Sequence, residues 1–160
     1  MRKSHKILLA STVGISILAA SAGVFAQQAA KPDTVIKLRQ STFQFIGWTC
    51  GRVKNALQAP TYDRSEVIQA SNALAGAANS GLAALFAPGT DQGKGWHDTA
   101  IKSEFFANNA KSVEYATNLA RETSELQKVA NTGDQAAVKA QFAKVGATCK
   151  ACHDDYRRVE

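Results

Sequence analysis

The stretch from Val138 to Tyr156, VKAQFAKVGATCKACHDDY, decides the reading of this chain. Val138, Phe142, Val145, Cys149, Cys152 and Tyr156 step by four, three, four, three and four residues. That spacing places them on one face of an α-helix, so both cysteines belong to its apolar stripe. Asp134, just after Asn131-Thr132-Gly133, suits the cap of this helix. Inside the stretch, Cys149-Lys150-Ala151-Cys152-His153 sets two thiols three residues apart with an imidazole beside the second. On a helix these groups can point the same way. Two thioether bonds from such a pair anchor the vinyl groups of a haem, and His153 is then placed to reach the iron.

Other chemistries suit the motif less well. A thioredoxin-like pair sits at a strand-to-helix junction, and no strand pattern precedes Cys149. A structural zinc site takes four N or S ligands, and beyond the motif only Cys50 and His97 remain after the first 26 residues. Plain structural cysteines leave His153 unexplained.

Three further helical segments precede this one. The first opens at Pro32, a residue suited to a first helical turn, and stops before Pro60. Ile36, Arg39, Phe43, Ile46, Cys50, Val53 and Leu57 form its stripe. Only Arg39 breaks that stripe, and a charge on a core face points to a buried group that needs one. The second segment starts at Asp63, with Glu66 as a capping-box-like partner, and is expected to run to about Phe86. Its Ala, Gly and Ser content lets a neighbouring helix approach closely. Pro88-Gly89-Thr90 and Gly93-Lys94-Gly95 make a loop. The third segment is expected to start near Asp98 and to carry Ile101, Phe105, Phe106, Val113, Leu119 and Leu126 inward. With no strand pattern or repeat, the expectation is an all-α, antiparallel up-down-up-down four-helix bundle with the haem at the C-terminal helix.

The N-terminus sets the expected compartment. A basic Met1-Arg2-Lys3 with Lys6 leads into the apolar run Ile7 to Ala20, and Val24-Phe25-Ala26 supplies small residues for cleavage. This reads as a secretory signal over residues 1–26, leaving 27–160 as one domain. The run is shorter than the ~20 residues of a bilayer span, so no retained anchor is expected. Export to a periplasm also fits the chemistry, since bacterial c-type haem is attached outside the cytoplasm. The net charge of +6 falls on cleavage: losing Arg2, Lys3 and Lys6 from 19 Lys and Arg leaves 16 against 13 Asp and Glu, or +3. The remaining cations are scattered along the sequence and do not read as a nucleic-acid surface.

The second axial position of the iron has few candidates. Met1 is the only methionine and leaves with the signal, so no Met ligand is available. His97 is the one other histidine after residue 26; it stands either as a bis-His ligand or as a solvated loop residue. Cys50 reads as a buried, inert thiol. It lies seven residues from Phe43, ~10 Å along a helix axis, so the two cannot occupy the same spot over the iron.

These residues resemble the bacterial cytochromes c prime over most of residues 27–160. The resemblance rests on Cys149-Lys150-Ala151-Cys152-His153-Asp154-Asp155-Tyr156-Arg157 and on Arg39-Gln40-Ser41-Thr42-Phe43, with Phe86-Ala87-Pro88-Gly89-Thr90 and Trp96 in support. It implies one covalent haem c held by Cys149 and Cys152, with a five-coordinate iron on His153. It further implies Arg39 and Gln40 near the haem propionates, Phe43 and Phe86 at the haem face, and Arg157 close to the axial histidine. Ala83 departs from the family pattern, since some relatives carry an aromatic residue there. Members often bind carbon monoxide or nitric oxide and often form homodimers through the first two helices. The expected role is therefore periplasmic electron transfer with unknown redox partners, at an iron that admits small gases. A dedicated nitric oxide-binding protein is the alternative. An enzyme is not expected, because peroxide cleavage wants a distal acid–base group and Phe43 supplies none.

Overall fold

The computed structural model describes residues 30–107 and 109–159. Its helices are α1 (Pro32–Gln58), α2 (Arg64–Ala78), the single turn α3 (Glu104–Ala107), α4 (Asn109–Thr132) and α5 (Gln135–Tyr156). The long helices α1, α2, α4 and α5 form the expected four-helix bundle. The expected secretory signal lies outside the described residues. Among the described residues no helix is long and apolar enough to cross a membrane.

The helix ends follow from local chemistry. Pro32 stands in the first turn of α1, and Ala59, ahead of Pro60, leaves the helical region at φ −65°, ψ 149°. Asp134 caps α5 by accepting from the backbone of Ala136 at 2.9 Å and Ala137 at 3.2 Å. Asp63 caps α2 in the same way, accepting from Glu66 N at 3.0 Å. The Glu66 carboxylate does not return to complete a capping box. It takes a bidentate pair of hydrogen bonds from Arg52 of α1, at 2.6 and 2.8 Å, and so ties α1 to α2.

Three expectations need correction. The second helix does not run to Phe86; it ends at Ala78. There the Asn79 amide donates to Ala75 O at 2.8 Å and Gly81 turns the chain at φ +86°, leading into a 3-10 turn over Leu82–Leu85. The third helix does not begin near Asp98. Residues 99–102 run instead as an extended segment beside the C-terminus, with Lys102 N donating to Tyr156 O at 2.8 Å and Arg158 N to Ala100 O at 2.7 Å. Nor does Val113 face inward: it is 51% exposed, and the buried face of α4 reads Leu119, Thr123, Leu126, Ala130.

The core runs through Ile46, Val67, Leu74, Leu126, Val138 and Val145, with small residues Ala70, Ser71, Ala75 and Ala78 buried along α2. Helix α1 packs along α2, α2 along α4, and α4 along α5. The fourth seam differs. Helices α1 and α5 touch at only a few points, which leaves that side of the bundle open. The loop after the 3-10 turn closes one end of it by lying against α1. Gly95 makes that approach possible. A Cβ there would strike the Gln40 side chain and lie 2.9 Å from the Lys37 backbone nitrogen, so only glycine fits. Gly95→Ala should lower stability by about 1–3 kcal/mol, the usual cost of overpacking, read as a lower urea midpoint. An unchanged midpoint would show that this loop is not held against α1.

Candidate functional site

The last turns of α5 carry Cys149 and Cys152, both half-buried free thiols, followed by an exposed His153 whose imidazole makes no hydrogen bond among the described residues. Burial, then Cys149 and Asp155, push the Cys152 thiol up to about 11. Burial also raises Cys149. The imidazole moves the other way. Burial, with the Arg157 charge adding and Asp154 opposing, lowers His153 and favours the neutral ring that binds iron. Across the open seam, Cys50 of α1 packs against the same core as Phe142 and Cys149. Its thiol is pushed up to about 11, by burial first and by Cys149 second. Among the described residues no group of three or more His, Cys, Asp or Glu could hold a metal.

An aromatic wall bounds the site. Phe43 of α1 meets Phe86 edge-on at 5.9 Å, Phe86 meets Phe105 at 4.7 Å, and Phe105 meets Tyr156 edge-on at 5.2 Å. The rings link the middle of α1 to the end of α5. Beside this wall Arg39 is only 5% exposed, with its guanidinium 5.1 Å from the Phe86 ring centre. Nη1 donates to Leu85 O at 3.0 Å and Thr90 Oγ1 at 2.7 Å. Nη2 donates to Thr90 O and Thr99 Oγ1, each at 2.7 Å. Every one of these acceptors is neutral. Burial lowers its pKa while Asp91 opposes the shift, and no carboxylate bonds to it.

The other expected residues are placed more variously. Gln40 is exposed and faces the loop. Its amide donates to His97 O at 2.8 Å and its carbonyl accepts from Trp96 N at 2.7 Å. His97 is likewise exposed, with Nδ1 2.8 Å from Asp98 O and 3.2 Å from the Gln40 amide. The structure thus joins Gln40 to His97 and separates both from the wall of Phe43 and Phe86. Arg157 caps α5, donating from its backbone to His153 O at 3.0 Å. It lines an open cleft of about 600 Å³ with His153, Lys102, Asp154, Arg158 and Val159. Thr90 and Thr99, which anchor Arg39, were not legible as site residues, since turn threonines carry no pattern. Lys102 and Arg158 were missed for the same reason. Phe105 was legible only as a core residue.

A haem held by two thioethers fits what is present. Two free thiols share a helix face beside a neutral, unpartnered imidazole. The adjoining seam is bounded by aromatic rings, with the buried Arg39 beside Phe86 and hydrogen-bonded to neutral oxygens. Cys149 and Cys152 would hold the haem and His153 would ligate its iron, supplying one-electron chemistry. The third thiol, Cys50, has no vinyl group left to take. Haem should therefore migrate with the polypeptide on a denaturing gel. Iodoacetamide should label one thiol in the denatured holoprotein and three in the haem-free chain, and burial should slow the labelling of Cys50 in the folded holoprotein relative to the denatured one. Two labelled thiols in the holoprotein would mean a single tether.

A family profile described as cytochrome C' matches residues 34–157. The chain is 51% identical to the cytochrome c' of Rhodocyclus tenuis over 131 residues, covering 82% of this chain and 98% of the relative. It is 39% identical to the cytochrome c' of Allochromatium vinosum over 158 residues, covering 95% and 98%. The crystal structure of cytochrome c' from Thermochromatium tepidum superposes with a TM-score of 0.77 at 39% identity, covering 82% of this chain and 99% of that one. Sequence and bundle agree, and the chain belongs to the cytochrome c' family of covalent haem c proteins.

Proposed function

We propose that this protein is exported to the periplasm, exchanges single electrons through its haem, and admits small gases at the iron face opposite His153. The observation that carries this reading is the apolar far wall of the seam. Phe43 and Phe86 stand there, and a phenyl ring neither coordinates iron nor donates a hydrogen bond. The groups able to ligate are engaged elsewhere. His97 is tied to Gln40 on the exposed side, and Cys50 is a half-buried thiol, its pKa raised, packed against the same core as Cys149. Arg39 spends its guanidinium on Leu85, Thr90 and Thr99, so no acid–base group is offered for peroxide cleavage and an enzymatic role has no support. A cytochrome c' variant from Alcaligenes xylosoxidans, 30% identical with a TM-score of 0.71, has been solved with carbon monoxide bound. Another, 29% identical with a TM-score of 0.72, has been solved in the ferrous state with nitric oxide. Both support a gas-admitting iron here.

The same reading includes a homodimer. Leu38, Phe45 and Trp48 form a second, exposed stripe along α1, and Trp48 is 57% exposed. Trp96, 64% exposed, joins it by donating from Nε1 to Ser41 Oγ at 2.8 Å. Contiguous exposed aromatic surface of this kind marks an interface. The outer face of α2, with Arg64, Ser65, Gln69 and Asn72, is polar, so α1 and the Trp96 loop would supply the apolar contact. A similar cytochrome c' structure, 39% identical with a TM-score of 0.77, is described as having a ligand-controlled dimer dissociation. Trp48→Glu should shift the holoprotein from dimer to monomer in sedimentation velocity; an unchanged coefficient would remove α1 from the interface.

The gas-binding part has its own test. If Phe43 must move aside for an incoming ligand, Phe43→Ala should speed carbon monoxide binding to the ferrous protein at least about tenfold, or ~1.4 kcal/mol of barrier. Equal rates in flash photolysis would mean that Phe43 does not guard the iron.

A further inference from the structure

The cations that look scattered in the sequence converge at the end of α5. From Gln135 to His153 this helix contains no Asp or Glu, and Lys139, Lys144 and Lys150 are all exposed. At 100° per residue Lys139, Lys150 and His153 fall within about 60° of one another. The surface between the lysines is made by Ala143 and Gly146, both exposed and too small to hold a partner away. Around His153 the strip widens into the cleft that Lys102, Arg157 and Arg158 line. Among the described residues these three cations form no ion pair within salt-bridge distance. Lys102 Nζ donates to the carbonyl of Asp155 at 2.9 Å, and the Arg158 guanidinium donates to the carbonyls of Ile101, at 2.8 Å, and Thr99. Three acids lie among these cations. Asp154 pairs with Lys150, while Asp155 and Asp91 keep their charge as they accept from Tyr115 Oη at 2.6 Å and from Ser103 at 2.8 Å. Five cations (Lys102, Lys139, Lys150, Arg157 and Arg158) thus stand against three carboxylates, and the surface keeps a positive excess.

We infer that the face from Lys139 through Lys150 to the rim of Lys102, Arg157 and Arg158 is the docking surface for an acidic electron-transfer protein. The proposal rests on the electron-transfer reading above and adds where the partner sits and what chemistry it presents. Two features favour a protein over a small anion. The strip is about 26 Å long from Lys139 to the end of α5, far more than one ion can span. It also ends at the helix turn of Cys149, Cys152 and His153, the residues that would hold the haem. A carboxylate-rich partner would be drawn to this face at long range and meet few protruding side chains on arrival.

The test uses the reduced holoprotein and two inorganic oxidants, the hexacyanoferrate(III) anion and the tris(phenanthroline)cobalt(III) cation, in stopped flow across ionic strength. Oxidation by the anion should slow as salt rises, and oxidation by the cation should quicken. Lys139→Glu with Lys150→Glu should slow the anion about fivefold at low salt and leave high-salt rates unchanged. Lys54→Glu on α1 should have a clearly smaller effect. Poly-aspartate should compete with the anion for the unmodified protein and not for the double variant. Salt slopes near zero, or equal effects from Lys54→Glu, would overturn the docking surface while leaving electron transfer standing. Inorganic phosphate protecting as well as poly-aspartate at equal charge would make the cleft a small-anion site and also overturn it. A haem that exchanged electrons with neither oxidant would instead sink the electron-transfer reading itself.

Discussion

Burying a guanidinium costs several kcal/mol unless hydrogen bonds replace the water it loses, and Arg39 is buried with four such bonds to neutral oxygens. Those oxygens belong to Leu85, Thr90 and Thr99, so the bonds that solvate Arg39 also fasten the whole crossing between α2 and α4 onto α1. The consequences run in both directions from that point. Toward the interior, Phe86 is held under the guanidinium and completes the wall with Phe43 and Phe105. Toward the C-terminus, Thr99 begins the extended segment that pairs with residues 156–158, fixing Arg157 and Arg158 beside His153. One charge placed on an apolar stripe thus organises both sides of the site.

The parts of the fold that were legible in the sequence are those whose causes are local. Pro32 and Pro60 bound α1, Asp134 starts α5, and the three–four spacing of apolar residues identifies the inward faces of both. The misread boundaries depend on distant groups or on backbone chemistry inside a helix-friendly run. The stretch Ala78 to Phe86 is rich in alanine, yet the Asn79 amide and Gly81 end the helix before leucines reform a turn. Residues 98–103 were assigned to a helix because Ile101 and Phe105 match its period. Their backbone groups are claimed instead by Tyr156 and Arg158, more than fifty residues away. Val113 fits an apolar reading and still lies outside, because six residues ahead of Leu119 it falls about 120° round the helix from the buried face of α4.

The site divides in the same way. Cys149, Cys152 and His153 are contiguous, so their chemistry is written in five residues. Arg39 announced itself as the one charge on a buried stripe. Thr90, Thr99, Lys102 and Arg158 act only through the tertiary arrangement, and no spacing rule leads to them. Gln40 has a structural part that no spacing shows: its side chain spans Trp96 and His97 and secures the glycine-dependent loop contact. The charge distribution likewise becomes informative only in three dimensions, where a modest net charge separates into a cationic haem-bearing helix and a more apolar α1 face.

In the proposed site His153 is the sole protein ligand to the iron, and the opposite face is closed by the apolar wall of Phe43 and Phe86. The coordination state of the purified holoprotein tests this most directly, read by resonance Raman and electronic absorption spectra in the ferric and ferrous forms. A five-coordinate, high-spin iron in both forms, converting to six-coordinate low spin on adding carbon monoxide to the ferrous protein, is the predicted result. A six-coordinate, low-spin resting iron that His97→Ala converts to high spin would contradict it and make His97 the second ligand.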